Sequence, residues 1–198
     1  SYFISNYSFF YFPYYFIDFS CGALKINCVV SRLPNFTCYL SPPDVNSNDP
    51  SAVQIGPMHI GTIHFESQMS ELNNAYQEAL YHRPAKNPVI EMTIPSAVDK
   101  TLVSKDYPGY HVVQLFVQFA PYDIDSKYGS WSDLKFKNDY ADRVFSIVDE
   151  FCPGFSSSVI GRDILTPLDL EHIFGLHKGN IAHASLGIHQ LGYTRPVS

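Results

Sequence analysis

The sequence predicts an α+β fold, a mostly antiparallel sheet with helices packed on it. Two observations carry that prediction. Five stretches alternate apolar and polar residues with the period of two that marks a strand, and three others repeat apolar residues at helical spacing between start and stop signals. They follow one another as β-β-α-β-β-α-β-α, an order that belongs to the α+β class.

The elements read as follows. "LKINCVV" puts Leu24, Ile26, Cys28 and Val30 on one face, as a half-buried strand does. A long Pro/Asn/Ser loop follows. "TIHFES" alternates Ile63 and Phe65 against Thr62, His64 and Glu66. Ser67 or Ser70 is then placed to cap a helix through about Leu80, with Pro84 beyond its end. "PVIEMTIP" alternates Ile90, Met92 and Ile94 against Glu91 and Thr93. "YHVVQLFVQFAP" is the longest strand signal. Val113, Leu115, Val117 and Phe119 make one face, and Val112, Gln114, Phe116 and Gln118 make a mixed one, which suits a central strand whose second side is also covered. "WSDLKFKNDYADRVFSIVDEFCPG" places Leu134, Ala141, Val144, Phe145, Val148 and Phe151 near helical spacing, with Pro153 and Gly154 ending the run. "SSVIGRDIL" is a further strand. A last, short helix has Thr166 as its cap, Pro167 at the first helical position, Asp169 in the first turn and Gly175 at its close.

Composition narrows the function. The chain has 198 residues, 45% apolar and 16% charged, enough for one domain with a sizeable core. Its net charge of -6, without a Lys/Arg cluster, argues against nucleic acid as a partner. No apolar run is long enough for a transmembrane segment. Cys21, Cys28, Cys38 and Cys152 form no C-x-x-C pair and read as ordinary free thiols. The first twenty residues hold eleven of the thirty aromatics and one charge, Asp18. Residues 1–20 are therefore expected to be an aromatic-rich tail outside the domain, and 21–198 the domain itself.

Motifs with a known mechanism are scarce. There is no dinucleotide fingerprint, no phosphate loop, no nucleophile elbow and no H-E-x-x-H. The Gly-rich "GLHKGN" loop follows a helix, whereas a phosphate cradle opens one. His172, His177, His183 and His189 lack the spacing of a metal set, so no metal site is expected. Arg162 and Asp163 read as a local ion pair.

The segments "VVSRLPNF", "IPSAVD", "YHVVQLFVQFAPY", "YADRVFSIVDEFCPGFSSSVIGRDILTPLDLEHIFGLHKGNIAH" and "RPVS" resemble, in order, the phytoene desaturase-like proteins of the flavin amine oxidase superfamily. The resemblance covers about residues 22–198. It implies the substrate domain of a two-domain FAD-dependent oxidoreductase whose Rossmann FAD domain is not in this sequence. Its substrate would be a small molecule, its location the mitochondrial matrix, and a protein partner or homo-oligomer is possible. In such flavoproteins the middle domain covers the flavin ring. Gly179, Asn180 and His183 would then face flavin or substrate, with Gln190 and Arg195 on the substrate path. A chain without the FAD segments is expected to be inactive alone. The competing expectations are a non-catalytic α+β binding module and, further off, a metal-dependent hydrolase using the histidines.

Overall fold

The computed structural model describes residues 17–20, 22–46 and 52–191, so most of the aromatic stretch and Arg195 lie outside the described residues. Five strands form one sheet: β1 (Leu24–Val30), β2 (Ile63–His64), β3 (Val89–Thr93), β4 (His111–Gln118) and β5 (Val159–Leu165). Their order is β2-β3-β4-β1-β5. Every pairing is antiparallel, as the sequence predicts. The helices are α1 (Met69–Leu80), α2 (Pro95–Val98), α3 (Leu134–Phe151), α4 (Phe155–Ser158) and α5 (Pro167–Phe174).

Register follows the apolar alternation. Ile26 sits opposite Leu115 on one side and Ile164 on the other, so the odd-one-out polar residues all fall on the opposite face. The apolar face is covered by α3, which offers Tyr140, Ala141, Val144, Phe145 and Val148 along one stripe. Leu24, Ile26, Val113, Leu115 and Val117 are fully buried beneath it. Phe145 meets Phe155 edge-on at 5.5 Å, with the Arg162 guanidinium 5.4 Å from its ring centroid.

Several local expectations shift. Neither Ser67 nor Ser70 caps α1. Gln68 is the N-cap, because the Glu71 carboxylate reaches back to accept from the backbone N–H groups of Ser67 (2.7 Å) and Gln68 (3.0 Å). The strand in "TIHFES" shortens to two residues. Beyond it Glu66 takes over, its carboxylate accepting from Ile90 N at 2.5 Å in place of a ladder bond. The serines of "SSVIGRDIL" form the single turn α4, with Ser158 Oγ donating to Phe155 O at 2.6 Å, so β5 starts at Val159. Arg162 does not pair with Asp163, since neighbours on a strand point to opposite faces; it reaches α3 and bonds Asp142 and Asn138.

Among the described residues the second face of β4 is covered only at its β3 end, where Leu72 and Ala75 of α1 pack on Ala85, Val89 and Phe119; Val112, Gln114, Phe116 and Gln118 are half-buried. The last residues of the aromatic stretch are also docked: Asp18 O accepts from Ser185 N at 2.8 Å, and the Phe19 ring meets His177 edge-on at 4.7 Å. Residues 17–20 thus pack on the domain. Among the described residues no helix is long and apolar enough to cross a membrane.

Candidate functional site

The sheet end that holds the Gly179 loop is built outward from α5. Thr166 and Asp169 cap the helix reciprocally, with Asp169 Oδ2 accepting from Thr166 N at 2.8 Å and from Lys137 Nζ at 2.7 Å. Burial pulls the Asp169 carboxyl upward, but the bonds from Lys137 and Thr166 outweigh it and hold the group below the usual aspartate value. Gly175 closes the helix with φ 69°, a left-handed conformation suited to glycine. Glu171 then ties the following turn. It accepts from the Tyr122 hydroxyl and, at 3.0 Å, from Lys178 N, and lies 3.1 Å from His177 Nδ1.

Against this frame the predicted site residues separate. Gly179, at φ 64°, is pressed onto Pro167: a Cβ there would lie 2.5 Å from Pro167 Cα. Its carbonyl accepts from Ala23 N at 3.3 Å, which fastens the loop to the start of β1. Asn180 is 1% exposed, with Oδ1 accepting from Ala182 N (2.9 Å) and Ala184 N (3.3 Å), while its Nδ2 is buried with no partner. His183 is exposed, with φ 57°. Gln190 is buried; its Oε1 accepts from Asp18 N at 2.6 Å and its Nε2 donates to Ser185 O at 3.2 Å. The loop therefore gathers Gly179, Asn180, His183 and Gln190, but three of them, Gly179, Asn180 and Gln190, are engaged in holding the loop itself. Arg195 lies outside the described residues. His172 and His177 are exposed, the His189 side chain lies outside the described residues, and among the described residues no group of His, Cys, Asp and Glu is placed to hold a metal.

Beyond the loop, the second face of the sheet carries a polar row. Lys25 and Asn27 of β1 stand beside Phe116 and Gln114 of β4, and Asp163 of β5 stands beside Asn27. Thr93 completes the row next to Gln114, and Glu91 accepts from the Gln118 amide. Asn27 Oδ1 is buried without a donor. An orphaned acceptor on a polar row is a place where an approaching hydrogen-bond donor gains energy already lost on folding. The alternation "KINCVV" and "VVQLFVQ" contained this row in plain view.

A third feature was not legible at all. At the far end of β4, Ser96 is 2% exposed and its Oγ lies 3.2 Å from His111 Nδ1 while accepting from Val112 N at 2.9 Å. Ser96 and His111 border a cavity of about 730 Å³. Fifteen positions separate them, and only the return of the chain into β4 joins them.

The described residues thus form an α+β unit with one face of its sheet packed by a long helix and a polar row on the other. The comparisons with known proteins give that unit relatives. The chain is 41% identical over 182 residues to the rat (Rattus norvegicus) pyridine nucleotide-disulfide oxidoreductase domain-containing protein 2, and 40% identical over 182 residues to the mouse (Mus musculus) protein of that name. Each match covers 91% of this chain, and the chain spans 29% of the length of those relatives. No protein-family model matches the chain.

Proposed function

We propose that this chain is the substrate-side domain of an FAD-dependent oxidoreductase of the phytoene desaturase-like kind, acting in the mitochondrial matrix on a small molecule. The observation that carries the reading is the 41% identity, over 91% of the chain, to a protein named as an oxidoreductase. The open polar face agrees with it. The flavin, when bound, would accept a hydride from a C–H or C–N bond of the substrate. The residues of this chain fit the substrate side better than a cofactor cradle. Gly179 is filled by Pro167, and Gln190 is occupied by Asp18 and Ser185. The row Lys25, Asn27, Gln114 and Asp163 is placed to orient a polar ligand and exclude water from its apolar part beside Phe116, with His183 exposed on the Gly179 loop. The matrix location rests on the resemblance alone, and fractionation of cells tests it.

The test joins this chain, in one polypeptide, to the segments that flank the matched region in the relatives. The joined protein is expected to purify with flavin, and the chain alone without it. In the joined protein His183→Ala is expected to change turnover or the flavin spectrum more than the melting temperature, whereas Asn180→Ala, which removes the acceptor of Ala182 N and Ala184 N, is expected to lower the melting temperature as well. Stoichiometric flavin on the chain alone, or an unchanged spectrum and turnover in both variants, overturns the assignment to which each result belongs.

A further inference from the structure

A cavity at the opposite end of the sheet carries its own chemistry. β4 has 8 residues, so at about 3.3 Å each its His111 end lies roughly 25 Å from the end that meets the Gly179 loop. The cavity there, about 730 Å³, is within the size range of small-molecule sites. Lys100, Lys105 and His111 all line it. Among the described residues no carboxylate pairs with either lysine. The neighbouring acids keep their charge, and each accepts a local hydrogen bond. Asp99 accepts from Thr101 N at 2.9 Å, Asp106 from Ser104 Oγ at 3.3 Å, and Asp44, which does line the cavity, from Asn46 N at 3.0 Å. Lys100 and Lys105 are both exposed on its wall and outnumber the one lining carboxylate, Asp44, so the recess is net positive in a chain whose net charge is -6.

The wall beside them is aromatic. Tyr107 and Tyr110 stack with ring centroids 5.2 Å apart and an interplanar angle of 24°, and Tyr107 is 56% exposed. Val53 and Val103 add apolar surface. His111 is held so that it serves in either protonation state. When neutral, its Nδ1 accepts from the Ser96 hydroxyl; when protonated, it donates to Ser96 Oγ, whose own hydrogen turns to Val112 O at 3.4 Å. Burial, with His59 and Lys100 nearby, holds the imidazole below its ordinary value, so an anion arriving in the cavity draws a proton onto it.

We infer that this cavity is a binding site for a small aromatic carboxylate, its ring against Tyr107 and Tyr110 and its carboxylate between Lys100, Lys105 and His111. The site is independent of the flavin reading, because none of its residues lies on the open face row or in the Gly179 loop.

Benzoate is the probe, with benzylamine and acetate as controls, titrated against the purified chain by calorimetry and by shifts of amide signals. Saturable benzoate binding is expected, with shifts centred on residues 96–111, weaker binding of acetate and none of benzylamine. The double variant K100Q/K105Q is expected to lose affinity by about tenfold or more, as two charge-assisted contacts are removed, with an unchanged melting temperature. Tyr107→Ala is expected to abolish the preference for benzoate over acetate. No saturable binding of benzoate, equal binding of benzylamine, or wild-type affinity in K100Q/K105Q each overturns the proposal.

Discussion

The two faces of the sheet are built from the same strands and do opposite things. On the packed face, Leu24, Ile26, Val113, Leu115 and Val117 are fully buried against α3 and have no polar group to satisfy. On the open face, Lys25, Asn27, Gln114, Phe116 and Asp163 are half-buried or exposed, and Asn27 Oδ1 has no donor. The first face is where burial stabilises the chain, at about 25 cal/mol per Å² of apolar area. The second carries polar groups that water or a neighbour in the row satisfies, apart from Asn27 Oδ1, which is buried without a donor and carries a desolvation cost. A residue's effect on stability and its effect on function are therefore expected to divide by face.

The sharpest break in that division comes from Phe145. Its ring lies between α4 and the Arg162 guanidinium, and it is 4% exposed. Phe145→Ala is expected to cost about 3–5 kcal/mol by equilibrium denaturation. A cost under about 1 kcal/mol would mean that α3 does not hold the packed face. Gly179→Ala comes next. The left-handed φ of 64° and a Cβ 2.5 Å from Pro167 Cα leave the backbone no room to yield, so a loss of about 1–3 kcal/mol is expected in the same measurement. A neutral result there would show that the loop relaxes and that its glycine serves something other than packing.

The sequence made one face much more readable than the other. The packed face is a pattern of apolar residues, and pattern survives in sequence: Ile26, Leu115 and Val144 were assignable from spacing alone. The same alternation located all five strands, though not the ends of β2 and β5, and the caps Thr166 and Gly175 marked the last helix. What spacing does not contain is which side chain a polar group will meet. Glu71 displacing Ser67 and Ser70 as the cap, Gln190 bonding Asp18 across 172 positions, and Ser96 meeting His111 all depend on the chain's return path. The Gly179–His183 loop was singled out by its composition, and the fold does gather those residues. Its composition did not reveal that Pro167 would fill the space beside Gly179.

Asn27→Leu sharpens the comparison from the open side. Removing a buried acceptor that has no donor is expected to stabilise the isolated chain by about 1 kcal/mol, read as a rise in the denaturation midpoint. In the joined flavoprotein the same change is expected to lower turnover. A destabilised chain would mean that Asn27 is satisfied and that the open face is simply an outer surface.

The smallest effect belongs to neither face, and it serves as a control on both. Tyr122 follows β4, and its hydroxyl donates to Glu171 on α5. That bond moves the two groups in opposite directions. Glu171 is held below its ordinary value of 4.5, first by the Tyr122 hydroxyl and then by Lys178 N. Tyr122 is pushed from 10.0 up to about 12 by the same carboxylate. A depressed carboxyl adds stability that is present above pH 4.5 and lost as pH falls through its folded value. A raised phenol adds stability that is complete below pH 10.0 and lost as pH climbs toward 12. The pair thus stabilises most across the plateau between those limits. Both groups are partly solvated, so the contribution is expected to be no more than about 1 kcal/mol. Tyr122→Phe should lower stability by that amount across the plateau and approach the wild type toward both extremes, in denaturation midpoints taken from about pH 3 to about pH 12. A uniform offset at every pH would assign the loss to packing around Tyr122 instead of to its bond with Glu171. Benzoate affinity should be unchanged in this variant, because Tyr122 lies at the Gly179 end of the sheet and Lys100 and Lys105 lie at the other.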